Sequence, residues 1–252
     1  QGAQFIDNYG WEKPKWFSPN KEKEEYSYKR NNSFNYVKKE CENVHSNVGL
    51  LDLSTFSKYE ISGKDSKKFL ERLCANKIPE KDESIILTHM LNEKGRIQSE
   101  LTITRFSNNN FYVLSSTSSE LRDLDWFIQN QLENEDINIK NITNDYGVLV
   151  LAGPRSRNVL SKLTSEDLSN KNFTWLKGKE IILGDVKVKA LRINYLGELG
   201  WELHHSFNDM EKLYDNLMES GKEFNIANFG NYAVNSLRLE KAYKGWGSEL
   251  TG

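Results

Sequence analysis

The sequence predicts an α+β fold, on three observations. Apolar residues at helical spacing alternate along the chain with short runs of strand-like alternation. The strands are joined by hairpins too frequent for a doubly wound parallel sheet. One pattern also occurs twice: Gly63-x-x-Ser66-x-x-Phe69-Leu70-x-x-Leu73 is matched by Gly153-x-x-Ser156-x-x-Val159-Leu160-x-x-Leu163, with Arg72 matched by Lys162. Each copy follows a strand and runs on into further strands and a helix, so the expectation is an internal repeat of β-α-β-β units over about 56–143 and 146–220.

The elements follow in order. Residues 1–32, with Trp11, Pro14, Trp16, Phe17 and Pro19, read as an extended arm with aromatic anchors. Ser33 is placed to cap a helix carrying Phe34, Val37, Cys41 and Val44, which Gly49 stops; residues 1–46 are thus arm and first helix, and 47–252 the main domain. Tyr59 and Ile61 mark a strand ended by Gly63, and Asp65 is placed to cap the helix with Phe69, Leu70, Leu73 and Cys74. Strands are predicted over 85–91, 97–106 and 111–114, with turns at Asn92–Gly95 and Ser107–Asn110. Ser118 or Ser119 caps a helix holding Leu121, Leu124, Phe127, Ile128 and Leu132. The second copy contributes strands over 148–151, 181–183, 186–193 and 201–204, and a helix from Met210 to Leu217.

A formal net charge of -2 gives no electrostatic drive toward nucleic acid. No run approaches the roughly 20 apolar residues of a membrane helix, and no signal peptide is visible, so the chain reads as soluble and cytoplasmic. It begins at Gln1, which reads as processing or as a fragment. Cys41 and Cys74 read as small buried hydrophobes rather than a disulfide. His45, His89, His204 and His205 lack zinc-ligand spacing, and His204 and His205 point to opposite faces of one strand, so no metal site is expected. Neither G-x-G-x-x-G, nor a phosphate-binding loop, nor a G-x-S-x-G elbow occurs.

Three motifs carry candidate chemistry. In Asn194-Tyr195-Leu196-Gly197-Glu198-Leu199-Gly200-Trp201-Glu202, two glycines flank a carboxylate on a short turn. They let the backbone bend and a flat ligand approach, and Glu198 can accept parallel hydrogen bonds from a ring N–H and an amino group. Taken alone, such a turn is more often a hairpin with a solvated Glu. In Gly95-Arg96-Ile97-Gln98-Ser99-Glu100-Leu101-Thr102, alternation puts Gln98, Glu100 and Thr102 on one face, where a carboxylate beside a hydroxyl can handle protons. A strand with one wet face explains the same pattern. In Gly230 to Lys241, Val234, Leu237 and the Lys241 stem share a helical face, and Arg238 lies beside it, placed to bind a carboxylate. A surface charge network is the plain alternative.

Taken in order, these motifs resemble the aminomethyltransferase (glycine-cleavage T-protein) family. The resemblance runs from Gly49-Leu50-Leu51-Asp52-Leu53-Ser54 to Trp246-Gly247-Ser248-Glu249. Between these lie Leu73-Cys74-Ala75-Asn76, Met90-Leu91-Asn92-x-x-Gly95, Leu151-Ala152-Gly153-Pro154, Tyr195-x-Gly197-Glu198-x-Gly200-x-Glu202 and Ser236-Leu237-Arg238-Leu239-Glu240. Trp11-Glu12-Lys13-Pro14-x-Trp16-Phe17 looks like the link between an FAD-binding half and the folate half of dimethylglycine and sarcosine dehydrogenases, and Gly95-Arg96-Ile97-x-x-Glu100-Leu101-Thr102 and Gly197-Glu198-Leu199-Gly200-Trp201-Glu202 look like that branch; a folate-dependent demethylase of dimethylsulfoniopropionate is a further relative.

The resemblance implies a T-protein-like fold around a central folate channel, with tetrahydrofolate as cofactor. It places Glu198 on the pterin, with Arg238, Tyr195 and Thr102 as pocket neighbours, and makes Glu100 the catalytic carboxylate. T-proteins commonly carry Asp there; Glu is one methylene longer. The implied chemistry is capture of a formaldehyde-level or iminium carbon by N5 and then N10 of the folate, with the carboxylate relaying a proton. The resemblance implies that the family continues past this region into a small β-barrel, and the sequence, ending at Gly252, reads as being without it. The implied partners are a methylated amine or other one-carbon donor and an FAD-binding oxidoreductase domain or subunit, which alone would hold FAD. A folate-binding module without transfer chemistry, or a structural subunit of an oxidoreductase, are the competing readings.

Overall fold

The computed structural model describes residues 2–251. In chain order the elements are β1 (Ala3–Asn8), β2 (Trp11–Phe17), α1 (Phe34–Ser46), β3 (Val48–Asp52), β4 (Ser57–Ser62), α2 (Ser66–Leu73), β5 (Ile85–Leu91), β6 (Ile97–Ser107), β7 (Asn110–Ser115), α3 (Glu120–Gln129), β8 (Asn138–Asn141), β9 (Tyr146–Ala152), α4 (Ser156–Leu160), β10 (Gly178–Leu183), β11 (Val186–Leu191), β12 (Gly200–Ser206), α5 (Met210–Gly221), β13 (Ile226–Asn228) and α6 (Asn231–Glu240). The chain forms two compact units. One holds the residues up to Ser54, Gly147–Thr174 and Glu180–Tyr243; the other holds Thr55–Tyr146, Trp175–Lys179 and the residues from Lys244 onward.

The first unit is built on a six-stranded sheet in the order β10-β11-β12-β9-β3-β13. Its adjacent strands β3 and β9 are apolar at nearly every position because both faces are covered. Leu50, Leu149, Leu151, Trp201 and Leu203 pack with Val159 and Leu160 of α4 and Leu213 and Leu217 of α5. The alternate residues Leu51, Val150 and Ala152 pack with Cys41 and Val44 of α1 and Ala233 and Leu237 of α6.

The second unit has a five-stranded sheet in the order β5-β6-β7-β4-β8. Tyr59, Ile61, Leu101, Ile103, Phe111 and Val113 face Phe69, Leu70 and Leu73 of α2 and Phe127 of α3. Phe127 meets Tyr59 edge-on at 5.4 Å, and the Tyr59 hydroxyl donates to the Glu120 carbonyl at 2.7 Å. The two sheets share a connection rule. Each places the strand before its Gly-x-x-Ser turn beside the third strand after the helix, β4 beside β7 and β9 beside β12.

The two turns are also alike in backbone. Gly63 has φ +114° and Gly153 has φ +125°, and the following Ser66 and Ser156 amides donate to those glycine carbonyls at 3.1 and 3.0 Å. A Cβ on Gly153 would lie 2.6 Å from the Asn47 carbonyl and 2.7 Å from that of Val44, so the turn nests against the end of α1.

Several sequence expectations are corrected. The N-terminal arm contains a β-hairpin, β1 paired antiparallel with β2. Its two-residue turn, Tyr9-Gly10, has φ of 57° and 83°, positive at both central positions as hairpin twist favours. Pro14 is tolerated because a two-stranded ribbon leaves each strand an unpaired edge. Gly49 does not stop α1; the helix ends before Asn47, and Gly49 sits in β3, where Phe229 and Val44 leave no room for a Cβ. Ser33, Asp65 and Ser119 occupy N-cap positions but make no capping side-chain bond. Asp65 instead accepts from the Asp136 amide at 2.9 Å. Leu132, Ile193 and Cys74 fall just outside their expected elements. Both cysteines are free.

The hairpin is docked by a buried carboxylate. Glu40 on α1 accepts from the Phe17 amide at 2.7 Å and from the Gly230 amide, at the start of α6, at 2.9 Å. Burial pushes its carboxyl up to about 7, against the pull of these two amides.

A glycine pair tests the turn geometry. Gly153→Ala meets both positive φ and backbone atoms, whereas Gly95→Ala, with φ +71°, meets nothing within 4 Å. Urea unfolding is expected to show a loss of about 1–2 kcal/mol for Gly95→Ala and a clearly larger loss for Gly153→Ala. Equal losses would mean that the nested turn relaxes freely.

Candidate functional site

The structure brings Glu198, Arg238 and Tyr195 together in the first unit. Glu198 lies in the loop between β11 and β12, and Gly197 turns the backbone there with φ +72°. Asn194 pins the loop: its amide donates to the Glu198 carbonyl at 2.8 Å, and its oxygen accepts from the Leu196 amide at 2.9 Å. Glu198 has its side chain 19% exposed, and its Oε1 is engaged by His45 Nδ1 at 3.1 Å and Lys241 Nζ at 3.4 Å. His45 Nε2 reaches Glu240 Oε2 at 3.0 Å.

Beside this carboxylate is an aromatic platform. Tyr195 stacks on Tyr243 with centroids 5.8 Å apart, and the Arg238 guanidinium lies 6.0 Å from the Tyr195 ring centre. Arg238 is oriented by bonds to Asn235 Oδ1 and the Tyr243 carbonyl, both at 2.9 Å. A carboxylate held through one oxygen, next to a flat partly exposed ring, suits a planar heterocycle with an N–H and amino edge.

Gly197 bends the backbone as expected, but neither glycine opens space for a ligand. A Cβ on Gly200 would lie 2.6 Å from the Leu151 carbonyl, so the close approach there is by β9 and not by a ligand. At Gly197 the space is taken by the Lys241 stem, 2.5 Å from such a Cβ. Lys241 itself follows α6 as its C-cap, outside the helical face predicted to include it.

Glu100 and Thr102 lie in the second unit on the half-buried face of β6, opposite Leu101 and Ile103. Glu100 pairs across the ladder with His89 of β5, and Glu100 Oε2 lies 3.3 Å from His89 Nε2. That contact is close enough for an ion pair but is not aligned as a hydrogen bond. Burial pushes the Glu100 carboxyl above its ordinary value, and His89 draws it part of the way back. Thr102 lies opposite Leu87.

Sequence reasoning missed His45, Glu240 and His89 as partners. Counting back from the Asn92 turn does not place His89 opposite Glu100, because the β5–β6 register shifts between Met90 and Leu91. His45 escapes a local reading because its partners lie far along the chain. Glu202, the last acid of the same motif, is buried, lies 3.4 Å from His204 Nε2 and has its carboxyl pushed up to about 8 by burial. Among the described residues no group of three or more His, Cys, Asp or Glu is arranged to hold a metal, and no helix is long and apolar enough to cross a membrane.

Comparison with known proteins adds an independent finding. The family model of the GCVT N-terminal domain matches residues 1–252. The mitochondrial dimethylglycine dehydrogenase of Rattus norvegicus is 46% identical over 244 residues, 96% of this chain and 28% of that protein. The aminomethyltransferase of Alkaliphilus metalliredigens (strain QYMF) is 32% identical over 212 residues, 84% of this chain and 57% of its own length. The crystal structure of glycine cleavage system aminomethyltransferase T from Bartonella henselae matches with a TM-score of 0.81 at 22% identity, covering 99% of this chain and 62% of that one. The α+β T-protein fold is thereby established. The chain spans little more than a quarter of the length of the dehydrogenase it matches.

Two titrations follow. His89→Ala removes the imidazole that draws Glu100 down, so carbon NMR is expected to place the Glu100 carboxyl higher still; an unmoved midpoint would show that the contact carries no electrostatic weight. For Glu202, the folded value of about 8 lies above the ordinary 4.5, so the folded state holds the extra proton between them. Its stabilising contribution is full below the ordinary value and is lost as pH rises through about 8. Glu202→Gln is expected to flatten that decline in urea unfolding, and a wild-type slope in the variant would contradict the assignment.

Proposed function

We propose a function on the premise that the chain belongs to the GCVT N-terminal domain family: it binds tetrahydrofolate as the folate-binding part of a dimethylglycine dehydrogenase-like or aminomethyltransferase-like enzyme and takes part in one-carbon transfer. The observation that carries this reading is Glu198, a carboxylate anchored through Oε1 beside the Tyr195 platform. It accepts from the N–H and amino edge of the pterin, while Arg238 and Tyr195 line the ring. When bound, tetrahydrofolate supplies the nitrogens that accept the one-carbon unit. Glu100, its carboxyl raised by burial, takes up the proton released in the transfer, and Thr102 lies on the same face of β6.

The one-carbon donor is a methylated amine or its oxidised product. An FAD-binding oxidoreductase domain or subunit generates the reactive carbon, in keeping with the dehydrogenase relative, of which this chain spans a part.

Calorimetry with tetrahydrofolate tests the binding step. Glu198→Gln is expected to weaken binding by about 1.5–3 kcal/mol, the worth of a hydrogen bond to a charged group; equal affinity in the variant would refute the assignment. Glu100→Gln is expected to keep binding but slow transfer from formaldehyde roughly 10²–10⁴-fold. An unchanged rate would reduce Glu100 to a strand residue.

A further inference from the structure

Glu198 is held from behind by an imidazole that has a carboxylate on each nitrogen. His45 Nδ1 lies 3.1 Å from Glu198 Oε1, and Nε2 lies 3.0 Å from Glu240 Oε2. A neutral imidazole offers one N–H and one lone pair, and an ionised carboxylate only accepts. With a neutral ring, one of these contacts would set lone pair against lone pair at hydrogen-bonding distance. Both contacts are hydrogen bonds only when His45 carries two protons.

We propose that His45 is a positioning residue: in its imidazolium form it aims Glu198 at the folate ring, so that folate binding holds a proton on His45 and weakens as pH rises through the histidine range. The inference rests on the reading of Glu198 as the pterin acceptor. The other charged or titratable groups on the elements that meet here are Lys241, on the same Glu198 oxygen, Arg238 on α6, and Cys41 and Glu42 on α1. Lysine and arginine stay charged throughout the histidine range and cannot supply the switch. The Cys41 thiol is pushed further up by burial. When His45 loses its second proton, one N–H is left for two carboxylates, so Glu198 and Glu240 compete for it and Glu198 is steadied part of the time by Lys241 alone, a single flexible point charge.

The test is calorimetric titration with tetrahydrofolate from about pH 5.5 to about pH 8.5, a span that brackets histidine titration. Wild-type affinity is expected to fall about three- to ten-fold over that span, between the worth of an exposed ion pair and that of a hydrogen bond to a charged group. Buffers of different ionisation heat are expected to show proton uptake on binding at the upper end. His45→Arg donates from two nitrogens at every pH, so it is expected to keep the high affinity with a flat profile. Glu240→Gln offers a second route: its amide can donate to the neutral ring, which then keeps its N–H for Glu198, and the slope is again lost. A flat wild-type profile, or a wild-type slope surviving in His45→Arg, would overturn the inference while leaving folate binding intact. Failure of the wild-type chain to bind at any pH would overturn the folate reading and this inference with it.

Discussion

The close approach of α1 to β3 at Gly49 is the constraint on which the Glu198 region depends. A Cβ there would lie 2.6 Å from the Phe229 ring and 2.7 Å from the Val44 side chain. A bare backbone at this position lets the helix and the segment entering α6 lie flat on the same face of the sheet. One turn of helix beyond Cys41, that seating delivers His45; the segment after Phe229 delivers Arg238 and Glu240. The polar cluster therefore inherits its geometry from apolar packing beneath it. None of its ion pairs needs to be strong, since exposed pairs of this kind contribute little to stability.

What was legible in the sequence follows from how local each signal is. Period-two alternation located β5, β6 and β7 to within a residue or so, because the hydrophobic face of a strand is written in its own residues. The repeated Gly-x-x-Ser turns were legible because a positive φ leaves a glycine behind. The hairpin of β1 and β2 was obscured by Pro14 and by a Tyr-Gly turn in place of the commoner Asn-Gly. Caps were over-read: Ser and Asp before a helix mark a preference, and here their side chains went to other partners or stayed out of the cap.

At the site, the motif order located Glu198, Arg238 and Tyr195 together, but misassigned the space at the glycines to a ligand. Gly200 is required by the Leu151 carbonyl and Gly197 by its positive φ. A glycine-rich motif around a functional acid can thus be kept by the fold's own crowding and bends. The partners that steady the acid come from sequence positions that no local reading connects. They are visible only once β3 and β13 pair in parallel and bring α1 and α6 to one face.

The Glu40 clasp has a consequence for how such a chain can be cut and recombined. The sequence suggests a seam after residue 46, with arm and helix on one side and the folded body on the other. The backbone amides of Phe17 and Gly230 meet on one carboxylate, that of Glu40, which lies on the leading side of this seam while Gly230 lies on the other. Exchanging the leading segment for that of a homologue would carry Glu40 away from Gly230 unless the incoming helix presents an acid at the same height. Without one, two amides lose a shared acceptor inside the protein, at a cost of about 1–3 kcal/mol each. Leu51, Val150 and Leu237 would meet a surface that did not evolve against them. The unit that can be exchanged as a block is therefore one that keeps the hairpin, α1 and the start of α6 from a single parent.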